Sequence, residues 1–475
     1  MKILFLTHDL ITIPLGVSYI SSVARLGGHD VMAAVLNERD LLETSRRFSP
    51  DVVAFGCTTG FHNKYLDAVR EIRSVARDAV TVMGGSHPTF FPEVLEEREE
   101  LDFALRGEAE GGFMQLLEAL EGKRGLEGVG NLLYRRNGSI ARNGLLPLCE
   151  DLDSIPFPDR KFLDRYRDRL NRKTAFVITG RGCPYDCSYC FNHAYKELYS
   201  GLGRMCRRRS VENVLLEIEE LRSADPQLQM IVFQDDIFIL EREWVLDFCR
   251  EYPKRIGLPF HCHLRANLVD RDMTDRLKEA GCISVKMAIE SASDRLRNGI
   301  LNRNMTRETI ISACADVKGS GIVLVTQNIL GIPTGTVEDD LETLELNCGI
   351  GPDFAFATLL QPYPRTAIGK FCVDEGFMRP GDSAETPDSF FDCSILDIPD
   401  RERRERLRKL FALAIEYPVL RDNIGGLIDL PLDRLYDIMD KVWKGYCIKQ
   451  REFPYRLTLG EYLRSVVTYF RSRYY

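Results

Sequence analysis

The chain reads as an α/β protein in three parts: a doubly wound parallel sheet, a partial (β/α)6 barrel, and a mostly helical C-terminal region. Three observations predict this. At 475 residues it exceeds one ordinary core, so more than one domain is expected. Its apolar runs are continuous rather than alternating, as strands of a parallel sheet covered on both faces must be. Those runs alternate with helical patterns until about Gly376, where the alternation breaks.

In the first series, KILFL precedes a helical stretch from Leu15 to Arg25, and DVMAAV follows. DVVAFG leads to an amphipathic stretch from Tyr65 to Ala76, then to AVTVMGG, and LDFALRG precedes Phe113 to Leu120. Such β-α units predict a flavodoxin-like sheet with right-handed crossovers and ligands at the carboxyl ends of its strands. NLLYRRNGSIARN, two short runs around Asn137-Gly138, predicts a type I′ hairpin. The proline-bearing SIPFPDRKFL reads as a linker. The first domain is thus expected over 1–145 and the linker over 146–174.

A second series supplies AFVIT, MIVFQ, FHCHL, ISVKMAI, VLVTQNIL and FAFATLL. Helical patterns lie between them, as at Val211 to Leu221, Trp244 to Tyr252, Met273 to Ala280 and Val337 to Leu346. This predicts an open barrel over 175–378, with active residues at the carboxyl ends of its strands. In the remaining part, 379–475, PGDSAETPDSFFD reads as a loop and the chain from Arg401 as mostly helical.

A net charge of −8 argues against general nucleic-acid binding, which needs a basic surface. MKILFLTHD carries no signal-peptide pattern, and no stretch approaches the roughly 18 apolar residues of a membrane span. The expected compartment is the reducing cytosol. There, most of the fourteen cysteines are scattered small hydrophobes and a clustered set is a metal site.

The clustered set is Cys183, Cys187 and Cys190 in GRGCPYDCSYCFN, directly after the first strand of the second series. Gaps of three and two residues, with Gly182 and Pro184 nearby, let a loop wrap a 4Fe–4S cubane and leave one iron open. A structural zinc site or unrelated cysteines are the alternatives, although zinc normally takes four ligands.

The motif resembles that of the radical S-adenosylmethionine superfamily, and the second series follows that family's layout. The resemblance implies that S-adenosylmethionine chelates the open iron and is cleaved by one electron to a 5′-deoxyadenosyl radical. It further implies that Tyr189 lies near the adenine and that Gln234, Asp235 and Asp236 contact the methionine amino group. It places Glu290 and Ser291 at the ribose, and Gln327 and Gly331 on the adenine side. Strand-end acids can accept hydrogen bonds from an ammonium or a diol, and they also often cap the next helix.

The first domain resembles the cobalamin-binding domain that precedes the radical core in one large subgroup. The resemblance rests on Pro14-Leu15-Gly16, Asp51-Val52-Val53 through Gly56, Gly84-Gly85-Ser86-His87-Pro88-Thr89 and Arg106-Gly107-Glu108-Ala109-Glu110, with the IPFP linker and Gln361 to Thr366. It implies a cobalamin site built from Thr7, Pro14, Leu15, Gly16, Thr58, Thr59, Gly84, Gly85, Ser86, His87, Gly107 and Glu108. A nucleotide-free docking domain is the alternative. Two departures stand out: the DxHxxG motif of histidine-ligated cobalamin domains is absent, and Arg365 stands where the subgroup usually has glycine.

The subgroup includes methyltransferases and ring-forming enzymes such as the anaerobic magnesium-protoporphyrin ester cyclase. The resemblance implies methylation of an unactivated carbon on a small-molecule or lipid-like substrate, with flavodoxin or ferredoxin as low-potential electron donor. Cyclisation without methyl transfer is the alternative, and a cobalamin-binding sensor is a third reading. The C-terminal mixture of basic and apolar residues from Lys441 can either cover a lipid-like substrate or pack on the barrel.

Overall fold

KILFLT forms β1 (Lys2–Thr7), buried from Ile3 onward because Ile3 and Phe5 enter one core and Leu4 and Leu6 another. The computed structural model describes residues 1–10, 13–36, 38, 40–379 and 393–471. The chain divides into two units, Met1–Asn171 with Tyr195–Arg207, and Arg172–Ala194 with Arg208–Tyr475.

In the first unit β1 is followed by α1 (Leu15–Leu26), β2 (Asp30–Val35), α2 (Leu41–Phe48), β3 (Val52–Gly56), α3 (His62–Arg73), β4 (Val80–Gly84), α4 (Ser86–Phe90), α5 (Val94–Glu97), β5 (Phe103–Leu105) and α6 (Glu110–Leu120). The sheet continues through β6 (Leu132–Arg136) and β7 (Ser139–Arg142), in the order β2-β1-β3-β4-β5-β6-β7. It is parallel through β5 and antiparallel beyond. The hairpin pairs Arg136 with Ser139, and Asn137 and Gly138 take φ of 50° and 78°, as a type I′ turn requires.

Residues 146–171, expected within a linker, belong instead to this unit. Phe162, Leu163 and Tyr166 are buried in its core, and the Tyr166 hydroxyl donates to Glu38 at 2.7 Å. Asp159 accepts from Ser21 and Arg25 of α1, each at 2.6 Å. The amphipathic α2, too short to stand out in the sequence pattern, was not expected.

The second unit holds a six-stranded parallel sheet. Its strands are β8 (Thr174–Val177), β9 (Met230–Phe233), β10 (Phe260–Leu264), β11 (Cys282–Glu290), β12 (Val323–Leu330) and β13 (Phe354–Leu359), adjacent in that order. The helices are α7 (Phe191–Leu198, running on into the first unit's segment), α8 (Val211–Ala224), α9 (Arg242–Arg255), α10 (Arg271–Glu279), α11 (Arg307–Gly319) and α12 (Val337–Ile350). Val177, Phe233, Cys262, Val285 and Leu324 point outward into one core with α8 to α11. Their strand neighbours Phe176, His263, Lys286 and Gln327 point inward and are only half-buried.

After α13 (Ala367–Asp374), the expected loop at 380–392 lies outside the described residues. The chain then forms α14 (Arg401–Glu416), α15 (Pro418–Asp422), α16 (Ile424–Asp429), α17 (Asp433–Cys447) and α18 (Leu459–Arg471). Between the last two, a π-helical turn, Ile448–Glu452, reaches the strands: Ser284 donates to the Glu452 carbonyl at 2.7 Å, and Lys286 meets its carboxylate at 2.6 Å. Arg456 and Gln229 bond each other just before β9. The tail therefore crosses the amino ends of the strands. α17 buries Tyr436, Asp440, Lys444 and Cys447, and leaves Leu435, Ile438, Val442 and Tyr446 exposed. Among the described residues no helix is long and apolar enough to cross a membrane.

One buried ion pair fastens α14 to the barrel. Arg404 (0% exposed) bonds Asp340 (2%) at 2.6 Å, and also the carbonyls of Gly335 and Ile332. Replacing Arg404 with Met leaves a buried carboxylate unpaired and is expected to cost about 3–5 kcal/mol, read from urea unfolding of the full chain.

Candidate functional site

The cysteine loop leaves the carboxyl end of β8, with Gly182 at φ 89°. Cys187 is buried, while Cys183 and Cys190 are half-buried. The Cys190 N–H donates to the Cys187 carbonyl at 3.1 Å, and the Asn192 N–H approaches the Cys190 sulfur at 3.5 Å. Burial pushes the Cys183 thiol up to about 11 and Cys190 to about 12, so without a bound cation both stay protonated. Among the described residues no three His, Cys, Asp or Glu side chains converge on a single-ion position. A cubane spreads its thiolates over separate irons and asks for no such convergence.

The sulfur of Cys187 receives Nη1 of Arg303 at 3.7 Å and Nη1 of Arg265 at 3.8 Å. Arg303 also donates to the Tyr189 hydroxyl at 3.3 Å and the Ala288 carbonyl at 2.9 Å, and lies 4.0 Å from Glu290. Tyr189 in turn donates to Glu290 at 2.7 Å. Glu290 ends β11 with φ 68°, a left-handed conformation that a non-glycine residue holds only under constraint. The chain after β11 forms a π-helical turn, Arg295–Ile300, and then lies along the cysteine loop. Ser188 bonds the carbonyls of Leu301 and Ile300, and Asn302 bonds that of Asp186. Sequence reasoning missed Arg265, Arg303 and this cradle, because a lone arginine in a loop carries no pattern.

The other strand-end residues divide. Gln234 is half-buried at the end of β9, and Asp236 is exposed and accepts from Asn192 at 3.0 Å. Asp235, expected to contact the ligand, is 2% exposed and accepts from the Thr179 hydroxyl and N–H at 2.6 and 3.1 Å. That carboxylate is committed to joining β9 to β8. Ser291, expected at the ribose, is 1% exposed, and its hydroxyl accepts from the Ser293 N–H. Gln327 faces the barrel interior, and Gly331, at φ 70°, donates its N–H to Asp340. Arg365 has φ 66°, which explains why a glycine suits this turn.

In the first unit the candidate cobalamin residues gather on the loops after β1, β3, β4 and β5. Pro14 precedes α1, and Leu15 begins it. Gly16 is exposed, and a Cβ there would meet nothing within 4 Å. At Gly84 the nearest atom would be 3.9 Å away. Among the described residues, packing demands a glycine at neither position. Thr58 is exposed and Ser86 half-buried beside them. Gly85 (φ 94°) and Gly107 (φ 68°) are demanded internally: added Cβ atoms would strike the Cys57 backbone and the Tyr199 ring. Thr7 is buried and donates to the Asp9 carbonyl. Glu108 pairs with Arg207 at 2.5 Å, and its N–H meets the Tyr199 hydroxyl.

His87, expected among the cobalamin contacts, is 5% exposed. Its ring stacks on His62 at 3.8 Å, and Nδ1 lies 3.1 Å from the Thr59 hydroxyl. Both Thr59 and His87 are thereby held in the interior. Burial, then the neighbouring His62, lowers His87 to about 3, while burial and Arg98 lower His62 to about 4.

Comparison with known proteins returns matching family models. The Radical SAM superfamily matches residues 177–346, and the B12 binding domain matches residues 1–117. An uncharacterized methyltransferase of Pyrococcus horikoshii is 30% identical over 370 residues, covering 76% of this chain and 78% of that protein. The anaerobic magnesium-protoporphyrin IX monomethyl ester cyclase of Rubrivivax gelatinosus is 27% identical over 442 residues, 86% of this chain and 76% of that protein. The fold is similar to that of the radical S-adenosylmethionine methyltransferase TsrM from Kitasatospora setae, solved with cobalamin and a 4Fe–4S cluster: TM-score 0.66 at 18% identity, covering 79% of this chain and 78% of that one.

Two outcomes follow from this geometry. Because folding depresses both His62 and His87 below the usual 6.5, their contribution is complete above about pH 6.5 and is lost as pH falls toward 4 and 3. The urea midpoint should therefore drop more between pH 7 and 5 in the parent than in a His62→Phe/His87→Phe variant. Arg365→Gly relieves the left-handed backbone and should stabilise by about 1 kcal/mol, measured by thermal unfolding.

Proposed function

The chain belongs to the Radical SAM superfamily with a B12 binding domain ahead of the radical domain, and from this premise we propose that it methylates an unactivated carbon of a small-molecule or lipid-like substrate. Its cofactors are a 4Fe–4S cluster, S-adenosylmethionine and cobalamin. When bound, they supply a one-electron cleavage of the sulfonium and a carrier for the methyl group. The observation that carries the site assignment is the thiol triad at the end of β8, with buried guanidinium groups against its middle sulfur.

Cys183, Cys187 and Cys190 would hold the cluster, which when bound would pass the electron that cleaves S-adenosylmethionine. Gln234 and Asp236 at the end of β9 accept from the ammonium. Glu290 is the ribose acceptor, and Tyr189, which bonds it, takes the adenine side with Gln327 and Gly331. Thr58, Gly16, Gly84 and Ser86 line the cobalamin ledge, with Gly85 and Gly107 shaping the loops around it. Inside the barrel the half-buried row Phe176, His263, Lys286, Ala288, Gln327 and Phe356 takes the substrate. Glu452, 1% exposed, already neutralises Lys286, so the row suits a substrate with an apolar body and few charges. A low-potential donor such as flavodoxin or ferredoxin supplies the electron.

Ring closure without methyl transfer is the second reading, favoured by the cyclase relative that matches 86% of this chain. Anaerobic reconstitution with iron, sulfide and cobalamin, then reduction in the presence of methyl-labelled S-adenosylmethionine, separates the readings. Methyl transfer puts label on cobalamin and releases S-adenosylhomocysteine; 5′-deoxyadenosine with unlabelled cobalamin overturns it in favour of cyclisation. Cys187→Ala should lose cluster absorbance and all 5′-deoxyadenosine while binding cobalamin as the parent does.

A further inference from the structure

Arg265, directly after β10, and Arg303, in the loop after β11, are 3% and 6% exposed. Guanidinium groups stay charged at any pH a protein survives, so both positive charges are buried as charges. Their surroundings do not answer both. Among the described residues the nearest carboxylate to Arg303 is Glu290 at 4.0 Å, and Arg265 forms no ion pair with any. Arg265 instead donates to the Arg303 carbonyl at 2.5 Å and to the Asn267 side chain at 2.8 Å, and lies over the Tyr185 ring at 3.6 Å. The Nε of Arg303 is buried with no acceptor. One carboxylate thus faces two buried cations, and the atom both of them reach is the Cys187 sulfur.

A neutral thiol cannot balance that charge, whereas a cluster ligated by three thiolates carries net negative charge and gains another when reduced. Hydrogen bonds to the sulfurs, net charge and solvent exposure are the levers by which a protein sets such a potential. We infer that Arg265 and Arg303 set the reduction potential of the cluster by stabilising the negative charge that arrives with the electron. Each is a positioning residue that acts through Cys187. The inference rests on the assignment of Cys187 as a cluster ligand. The step is a one-electron reduction by a low-potential donor, and no proton moves because neither guanidinium can give one up.

The test is a potentiometric titration of the reconstituted full chain without S-adenosylmethionine, following the reduced-cluster electron-spin signal. Arg303→Met and Arg265→Met should each lower the ratio of reduced to oxidised cluster about tenfold at a fixed potential, about 59 mV for one electron. Arg303→Lys, which keeps the charge, should stay near the parent. Iron and sulfide contents confirm that the variants carry full clusters. A full cluster with an unchanged midpoint in both Met variants overturns the inference. So does Arg303→Lys falling as far as Arg303→Met, which makes the role geometric. If neither Met variant takes up a cluster while the parent does, the arginines serve assembly and the inference fails. A full cluster in Cys187→Ala instead removes the ligand assignment beneath it.

Discussion

A guanidinium held against a sulfur sets the terms for the carboxyl rim of the barrel. Arg303 cannot discharge, so burying it costs several kcal/mol unless each donor finds an acceptor and the charge finds an opposite. The Cys187 sulfur, Tyr189 and Ala288 accept from its terminal nitrogens and Glu290 lies 4.0 Å away, while its Nε finds no acceptor. Delivering the side chain there requires the loop after β11 to double back along the cysteine loop, and a second buried arginine fastens that loop. Arg297, 0% exposed, donates to the carbonyls of Ser291, Ala292 and Met305. The left-handed backbone at Glu290 belongs to the same arrangement, since it turns the carboxylate toward Tyr189 and Arg303. Such a conformation costs of order 1–3 kcal/mol and persists only where its surroundings over-determine it.

The lower end of the barrel meets a different demand. An open sheet would leave the inward side chains of its amino end in water, and the tail after α17 covers them. Phe453 stacks edge-on against His261, and Glu452 takes Lys286. The amino end of the interior is thereby closed by the tail.

The strand pattern was legible because burial on both faces writes a continuous apolar run, and each expected barrel strand is present. The cysteine spacing was legible because three ligands must sit within one loop. Strand-end acids were legible only as a class: Asp235 and Asp236 are neighbours, yet one is locked to Thr179 and the other is exposed. Side chains alternate along an extended chain, and a sequence does not say which of two adjacent carboxylates turns inward. Arg265 and Arg303 were illegible for a related reason, since an arginine in a polar loop looks solvated until the fold brings sulfur and carbonyls around it. The linker expectation failed because prolines mask how apolar Phe162, Leu163 and Tyr166 are at the spacing of one turn.

The two units answer their cofactors in opposite ways, and the chemistry says why. A cluster changes charge by one on reduction, so fixed charge nearby is one of the levers on its potential, and Arg265 and Arg303 are the buried charges at the Cys187 sulfur. Cobalamin is large and asks first for space, which glycine grants by lacking a side chain. Among the described residues Gly16 and Gly84 meet no neighbour that requires a glycine, while Gly85 and Gly107 spend that space on neighbouring backbone and ring. His87 is committed internally in the same way, stacked on His62 and within 3.1 Å of the Thr59 hydroxyl.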